Sequence, residues 1–498
     1  SIGVLLSQLE QGLPSCPDPG MALTNLERFL AAAPLPAATL GLLALDPRTF
    51  EVLLQLFSAS QYLSDQMIGE PELIHWLRAG AGRRDRDHLI AGLQKELSGR
   101  TDDESWRLAL RKFRHREMLL IGHNDIVLGQ SLEVVTTDLS NLAEACVEAA
   151  YQRARARAIE RFGEALGPDG RPSRFVVLAM GKLGGQELNY SSDIDLLFLY
   201  DREGATSGPR QTTNEEFHSK VGGELVRLLA DHTALGRAYR VDLRLRPDGD
   251  QGPLVRSLAA TLGHYETKGR TWERQALIKC RPIAGDLGLG RQFLAAITPF
   301  VYRRYLSAAE IGEIKAIKRK IEARTLSAGT QELEVKTGRG GIRDVEFVVQ
   351  FLQLLHGGTY PQVRHHNTIE ALTRLEQLGC LTAEERGIME DTYRFLRRVE
   401  HRLQAMFDRQ THQMPADPEG QRALAIRMGY HPRTVWEDRA GPAQRFVADY
   451  RAKTEFNRRI LNHLLHDAFR DDSGAPVDPV VDLVLDPVPD ELVQAERA

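Results

Sequence analysis

Two aspartates one residue apart, Asp193 and Asp195, stand at the head of an apolar run, Leu196-Leu197-Phe198-Leu199-Tyr200. On a strand side chains alternate, so both carboxylates point to one side and Ile194 to the other. Carboxylates so placed repel each other unless a cation lies between them, the arrangement a magnesium site uses to hold a nucleotide's phosphates. The preceding run, Phe175 to Met180, is apolar on both faces and reads as a strand in the middle of a sheet. Between the two runs, Gly181, Gly184 and Gly185 let the main chain approach a ligand closely. A carboxylate pair at the mouth of a buried strand costs stability unless something compensates it. Gly-Gly, seven residues and Asp-Ile-Asp therefore point to a metal and phosphate site rather than a solvated turn.

A third carboxylate appears downstream. The segment Tyr239 to Pro247 alternates strictly, with Val241, Leu243 and Leu245 as the buried face and Asp242, Arg244 and Arg246 on the other. An acid flanked by two arginines suits a metal ligand beside anion-binding cations, and equally suits an edge strand with a salt-bridged face. The site expected from these residues has Asp193, Asp195 and Asp242 holding Mg2+ or Mn2+, two ions ~4 Å apart. Gly184, Gly185 and the nearby backbone cradle phosphate, with Lys182 as an auxiliary cation and Ser192, Arg244 and Arg246 completing the nucleotide contacts.

Three motifs carry a resemblance. Gly181-Lys182-Leu183-Gly184-Gly185 through Ser191-Ser192-Asp193-Ile194-Asp195-Leu196, the Val241-Asp242-Leu243-Arg244-Leu245-Arg246-Pro247 strand, and Arg339-Gly340-Gly341-Ile342-Arg343-Asp344-Val345-Glu346-Phe347 resemble the bifunctional adenylyltransferase/adenylyl-removing enzymes of glutamine synthetase. Those are polymerase-β-like nucleotidyltransferases with two catalytic halves in tandem. The matching segments run from about residue 110 to 415, enough for one half, and look more like the amino-terminal, deadenylylating half. The resemblance implies that phosphate attacks the AMP group on a synthetase tyrosine, releasing ADP and unmodified protein. It also implies partners: adenylylated glutamine synthetase, phosphate with ADP or ATP, PII signal protein, and a transferase half further along a longer chain. The same geometry run with ATP would attach AMP, and a non-catalytic module binding PII or synthetase is a third reading. Arg343 and Glu346 gain an active-site expectation from the resemblance, without a fixed task.

The bulk numbers agree with a folded enzyme. At 498 residues the chain has length for two to four domains. A net charge of −4 with 27% charged residues gives no field that favours nucleic acid. Cys16, Cys146, Cys280 and Cys380 show no paired spacing, which excludes a disulfide framework or zinc site and suits reduced thiols in the cytoplasm. No apolar run nears the ~20 residues that span a bilayer, and no secretory leader is expected. Ser1 in place of a methionine suggests a piece of a longer chain.

These patterns predict an α+β fold, predominantly helical, in four segments. Residues 1–161 form an N-terminal helical region, with apolar stripes at Leu5, Leu6 and Leu9, at Leu53, Leu54, Leu56 and Phe57, and at Leu139, Leu142, Cys146 and Ala149. Within it, Leu110 to Met118 reads as a basic, solvated helix face. Residues 162–300 form the nucleotidyltransferase palm, with a helix over Glu215 to Leu229. There Lys279 and Arg281 stand either as phosphate contacts or as a surface face. Residues 301–470 form a helical bundle, with stripes at Ile311, Ile314, Ile317 and Ile321, at Val345, Val348, Leu352 and Leu355, and at Leu396, Val399, Leu403 and Met406. The glycines before Ile342 offer free amides to phosphate at a helix start, with Arg343, Glu346, Gln350 and Gln353 along a separate polar side. Residues 471–498, acidic and containing four prolines, read as a linker or tail.

Overall fold

The computed structural model of the chain describes residues 2–79, 82, 84–307, 309–314, 316, 333–407, 411–432 and 440–468. The expected tail, and Ile317 and Ile321 of the expected isoleucine stripe, lie outside the described residues. The architecture is α+β and predominantly helical. Helices fill the chain from Ile2 to Phe162, and several begin where proline can occupy a first turn without losing a hydrogen bond, as Pro19, Pro36 and Pro47 do. Leu139, Leu142, Cys146 and Ala149 are buried on the helix Leu132–Phe162, as the stripe predicts, whereas Leu6 is turned outward.

Among the described residues seven short strands follow: β1 Ala165–Leu166, β2 Phe175–Ala179, β3 Ile194–Tyr200, β4 Ala205–Thr206, β5 Val241–Asp242, β6 Val255–Ser257 and β7 Arg281–Gly285. β1 and β4 form a small antiparallel pair. The main sheet runs β5-β3-β2-β7, with β2 antiparallel to both neighbours. β5 and β6 lie along the same flank of β3, both parallel to it, β5 at its start and β6 at its end. Every residue of β2 is buried, and Asp195 is the one position of β3 that is not.

Both faces of the sheet are covered, which explains why its strands are apolar throughout rather than alternating. Val177, Ala179, Leu196 and Phe198 pack with Cys146, Ala150 and Leu225 from the helices Leu132–Phe162 and Asn214–Ala230. Val176, Leu178, Leu197 and Leu199 join Leu289, Phe293 and the buried residues of the C-terminal helices, among them Val345, Leu396 and Val399. Asp193 and Asp195 share the parity of Leu197 and Leu199, so the acidic pair faces the side of the C-terminal helices.

The basic segment Leu110–Met118 is not a solvated face. It lies in the helix Asp103–Ile126, where Arg111 is 0% exposed and Arg114 and Glu117 are also buried. Arg111 donates to the carbonyls of Leu228 (3.3 Å), Asp231 (2.6 Å) and Gly236 (2.9 Å), closing the end of the helix Asn214–Ala230 and the turn after it. Burial brings its guanidinium down to about 10, still protonated at neutral pH. The Arg114 guanidinium sits 4.8 Å from the centre of the Tyr239 ring, two residues before β5. These arginines are caps for the chain that carries Asp242, and a fixed geometry for five donors explains why arginine serves there.

Arg111→Met should therefore remove about 3 kcal/mol of stability by stranding buried carbonyls. Lys112→Met, on the exposed side of the same helix, should stay within about 0.5 kcal/mol. Urea unfolding of the two variants checks this, and equal midpoints would remove the capping role.

Candidate active site

Asp195 and Asp242 are register partners on the parallel strands β3 and β5, which places their carboxylates side by side. Asp193 precedes β3 by one residue and shares their face. The amide of Ile194 donates to the Arg240 carbonyl at 3.0 Å, extending the pairing back to Asp193. Gly181 has φ +53°, and a Cβ there would lie 2.3 Å from Asp195 Oδ2. Only glycine both adopts that backbone and leaves the carboxylate its room. The amide of Met180 holds the Asp195 carbonyl at 2.9 Å, so the turn after β2 and the start of β3 are one hydrogen-bonded unit.

Cations do sit among these carboxylates, and they are arginines. Arg240 Nε donates to Asp193 and its Nη2 to the Ser191 carbonyl at 2.7 Å. Arg244 Nε lies 3.0 Å from both oxygens of Asp242, and the Arg244 amide donates to Asp242 Oδ1 at 2.8 Å. That last bond is an Asx turn, and it ends β5 after two residues. The alternation expected through Pro247 therefore stops at Asp242, and Arg244 folds back rather than projecting along a strand. Arg246 is also not free for phosphate. It braces the following loop through the carbonyls of Leu243 (2.8 Å) and Gly252 (3.3 Å).

The donor set suits a divalent hard cation: three carboxylates on one face, two of them in register, with Gly181 leaving space beside Asp195. Among the described residues no group of three His, Cys, Asp or Glu side chains converges closely enough to hold a metal ion.

The glycine loop, expected to cradle phosphate, packs closely against neighbouring main chain. A Cβ on Gly184 would lie 1.9 Å from the Lys279 carbonyl, so this glycine permits close main-chain packing between the loop and the segment before β7. Gly185 is buried as well, and its carbonyl accepts from Asn367 at 3.2 Å. Lys182 Nζ donates to Glu400 at 2.9 Å instead of reaching a ligand. Ser192 is half-buried beside Asp193.

The rest of the loop is fastened to the C-terminal helices by buried charge. Glu187 accepts from Tyr393 (2.7 Å), Thr368 Oγ1 (3.1 Å) and Lys279 (3.4 Å). Lys279 also reaches Glu346 at 3.2 Å. Arg397 donates to the Glu187 carbonyl and to Asn189 Oδ1, both at 2.5 Å, and His401 meets the same Asn189 oxygen at 2.9 Å. Glu400, fully buried, lies 2.9 Å from Lys182, 3.0 Å from His412 and 3.2 Å from Arg397. Three carboxylates, Glu187, Glu346 and Glu400, thus face three cations, Lys182, Lys279 and Arg397. Burial works to raise the Glu400 carboxyl, but Lys182, His412 and Arg397 outweigh it and hold it well below the usual range. Glu346 is likewise lowered against burial, by Lys279, Lys182 and Arg397. Burial brings the Lys182 ammonium down to about 8, with Glu400 opposing the fall.

Lys279, read as a phosphate contact or a surface face, and Glu346, given an active-site expectation without a fixed task, are both members of this network, and Lys279 is no surface residue. Arg281 is tied to Glu144 and to the carbonyls of Leu183 and Gly184, both at 3.2 Å. The polar side of the helix Ile342–His356 is buried: Gln350 bonds Gln275 at 2.7 Å and Gln353 the carbonyls of Val363 and His365 at 2.8 Å. Nor does that helix start with free amides. Those of Ile342 and Arg343 donate to the carbonyls of Val335 (3.2 Å) and Lys336 (3.1 Å), and the Gly340 amide to Asp344 at 2.7 Å. Arg343 is half-buried at this turn. Sequence reading missed Arg240, Asn189, Arg397 and Glu400. The signal for the last two was present, since Arg397 and Glu400 interrupt the stripe of Leu396, Val399 and Leu403 at core spacing.

Comparison with known proteins gives two family models on this chain. The glutamate-ammonia ligase adenylyltransferase model matches residues 50–296, and the PII-uridylyltransferase model matches residues 313–465. Three bifunctional glutamine synthetase adenylyltransferase/adenylyl-removing enzymes are similar to it. The one from Hahella chejuensis is 38% identical over 80% of this chain and 41% of its own length. That from Nitrosococcus oceani is 38% identical over 84% and 42%. That from Pseudomonas aeruginosa is 36% identical over 93% and 46%. The matched region thus spans less than half the length of each relative. Among the described residues no helix is long and apolar enough to cross a membrane.

The buried network sets an acid response. Glu346 and Glu400 carry folded-state pKa values below their ordinary 4.5, so their stabilisation is complete above about pH 4.5 and is lost as pH falls through the lowered values. Glu400→Gln should cost about 3 kcal/mol at neutral pH by leaving buried cations unpaired. Its melting temperature should then fall less than that of the wild type between about pH 5 and 3. Parallel melting curves across that range would show that Glu400 does not contribute to the acid response.

Proposed function

We propose, for a chain whose residues 50–296 belong to the glutamate-ammonia ligase adenylyltransferase family, that it removes AMP from glutamine synthetase by phosphorolysis. The observation that carries the reading is the in-register pair Asp195 and Asp242 with Asp193 beside them, three carboxylates on one face of an otherwise buried sheet. Arginine pairing offsets the cost of Asp193 and Asp242 there, and three carboxylates on one face suit phosphoryl and nucleotidyl transfer.

In the proposed step an oxygen of inorganic phosphate attacks the phosphorus of the AMP–tyrosine. The new P–O bond makes ADP, the P–O bond to tyrosine breaks, and the tyrosinate leaves and takes up a proton. Mg2+ or Mn2+, held by Asp193, Asp195 and Asp242, would supply charge neutralisation at the transferring phosphorus and at the leaving oxygen. The chain's own contribution is placement. Gly181 leaves room for the Asp195 carboxylate, and Arg240 and Arg244 hold guanidiniums beside Asp193 and Asp242, where they could bind a phosphate oxygen. Supporting the amino-terminal half is the Asn189-Tyr190-Ser191-Ser192-Asp193 form of the motif together with Arg343, which resembles the adenylyl-removing version.

The same residues would attach AMP if ATP were the donor, so direction is decided by assay. Full-length chain mixed with adenylylated synthetase and phosphate should release ADP; incorporation of AMP from ATP into unmodified synthetase would reverse the assignment. A second reading concerns the helical region after residue 313, whose PII-uridylyltransferase match favours a contact with a PII-type signal protein. Asp195→Asn and Asp242→Asn should each lower phosphate-dependent ADP release by about a thousandfold while leaving the fold intact. Full turnover in either variant would remove the carboxylate assignment.

A further inference from the structure

The acidic face carries two carboxylate–guanidinium pairs beside Asp195. Asp193 and Arg240 are 30% and 34% exposed and paired, and Asp242 and Arg244 are 10% and 17% exposed and paired. Arg240 precedes Val241, the register partner of Ile194, so it stands directly across from Asp193. Arg244 closes over Asp242 from the Asx turn that ends β5. Both arginines are fixed at a second point by main chain: Arg240 Nη2 holds the Ser191 carbonyl, and the Arg244 amide holds Asp242 itself. Each guanidinium therefore occupies the lone pairs that a hard cation needs.

Resting on the function proposed above, we infer that Arg240 and Arg244 are latches that compete with the divalent cation for Asp193 and Asp242. Before the cation arrives they neutralise carboxylates that would otherwise repel each other across the β3–β5 register. When it binds, it displaces both guanidiniums at once. That frees two cations, on either side of Asp242, for the oxygens of an incoming phosphate. Cation binding and phosphate binding are coupled by this exchange, since the groups released by the first are those that attract the second. Arg246 supplies an internal contrast. Its nearest acid is Asp250, at 3.5 Å, and its Nη1 and Nη2 donate to the Leu243 and Gly252 carbonyls rather than to Asp242. Removing it changes the local field without unlatching a carboxylate.

Titration of the full-length chain with Mn2+ alone, followed by electron paramagnetic resonance or calorimetry, separates these effects. Arg240→Gln and Arg244→Gln should each tighten Mn2+ binding about tenfold, the worth of one charge-assisted contact. Arg246→Gln should tighten it less than about twofold. Arg244→Lys keeps the charge and loses the two-pronged contact, and should also bind Mn2+ more tightly than the wild type. Equal tightening in the three Gln variants, or none in Arg244→Lys, would overturn the latch and leave the carboxylate ligands standing. Absence of Mn2+ binding in the wild type and in every variant would overturn the latch and the metal assignment together.

Discussion

The arrangement depends on a set of buried charges that join the loop after β2 to the C-terminal helices. A buried carboxylate or ammonium is costly alone, and here each of Glu187, Glu346, Glu400, Lys182, Lys279 and Arg397 has an oppositely charged neighbour within 3.6 Å. Such a lattice adds little net stability over a well-packed apolar core. What it adds is uniqueness, because one geometry satisfies all its members and a shifted loop satisfies few. Asn189 is held by Arg397 and His401, and Ser191 by Gln404 at 3.3 Å. Asp193 follows two residues later, so its position is set largely by a helix some two hundred residues away.

That distance explains what could be read in the chain beforehand. Asp193, Asp195 and Asp242 were legible because strand periodicity and carboxylate chemistry are local, and two short segments suffice to bring them onto one face. Lys182 looked like part of the same chemistry because it shares its motif, while Glu187 and Asn189 carried no separate signal. The partners of all three, 206 to 218 residues on, are what turn them into anchors, and nothing local reveals a partner at that separation. Gly184 is ambiguous for a related reason: a glycine needed for close approach looks the same whether phosphate or the Lys279 carbonyl is what approaches.

Charged segments misled in the other direction. Leu110 to Met118 has the composition of a wet helix face, and Gln350 and Gln353 that of a polar side, yet Arg111 and both glutamines are buried. Buried arginine and glutamine are rare enough that exposure is the sensible prior. Here they exist because irregular main chain lies against them: the turn at Asp231–Gly236 and the loop at Val363–His365 carry carbonyls that no helix or strand satisfies. Polar side chains in helices that border such loops are the structural complement of the loops themselves.

The Arg111 clamp bears on modularity. The sheet and its acid face look like a self-contained unit between Phe162 and Val301, but the two-residue strand bearing Asp242 is braced from behind by a helix that ends at Ile126. The loop bearing Asp193 is braced in front by the helix Ala383–Phe407. A fragment cut at the apparent borders of the mixed segment would keep all three aspartates and lose both braces. The smallest piece able to hold the acidic face in this geometry is therefore set by its supports rather than by the aspartates themselves, and it extends from the helix at Asp103 into the C-terminal bundle.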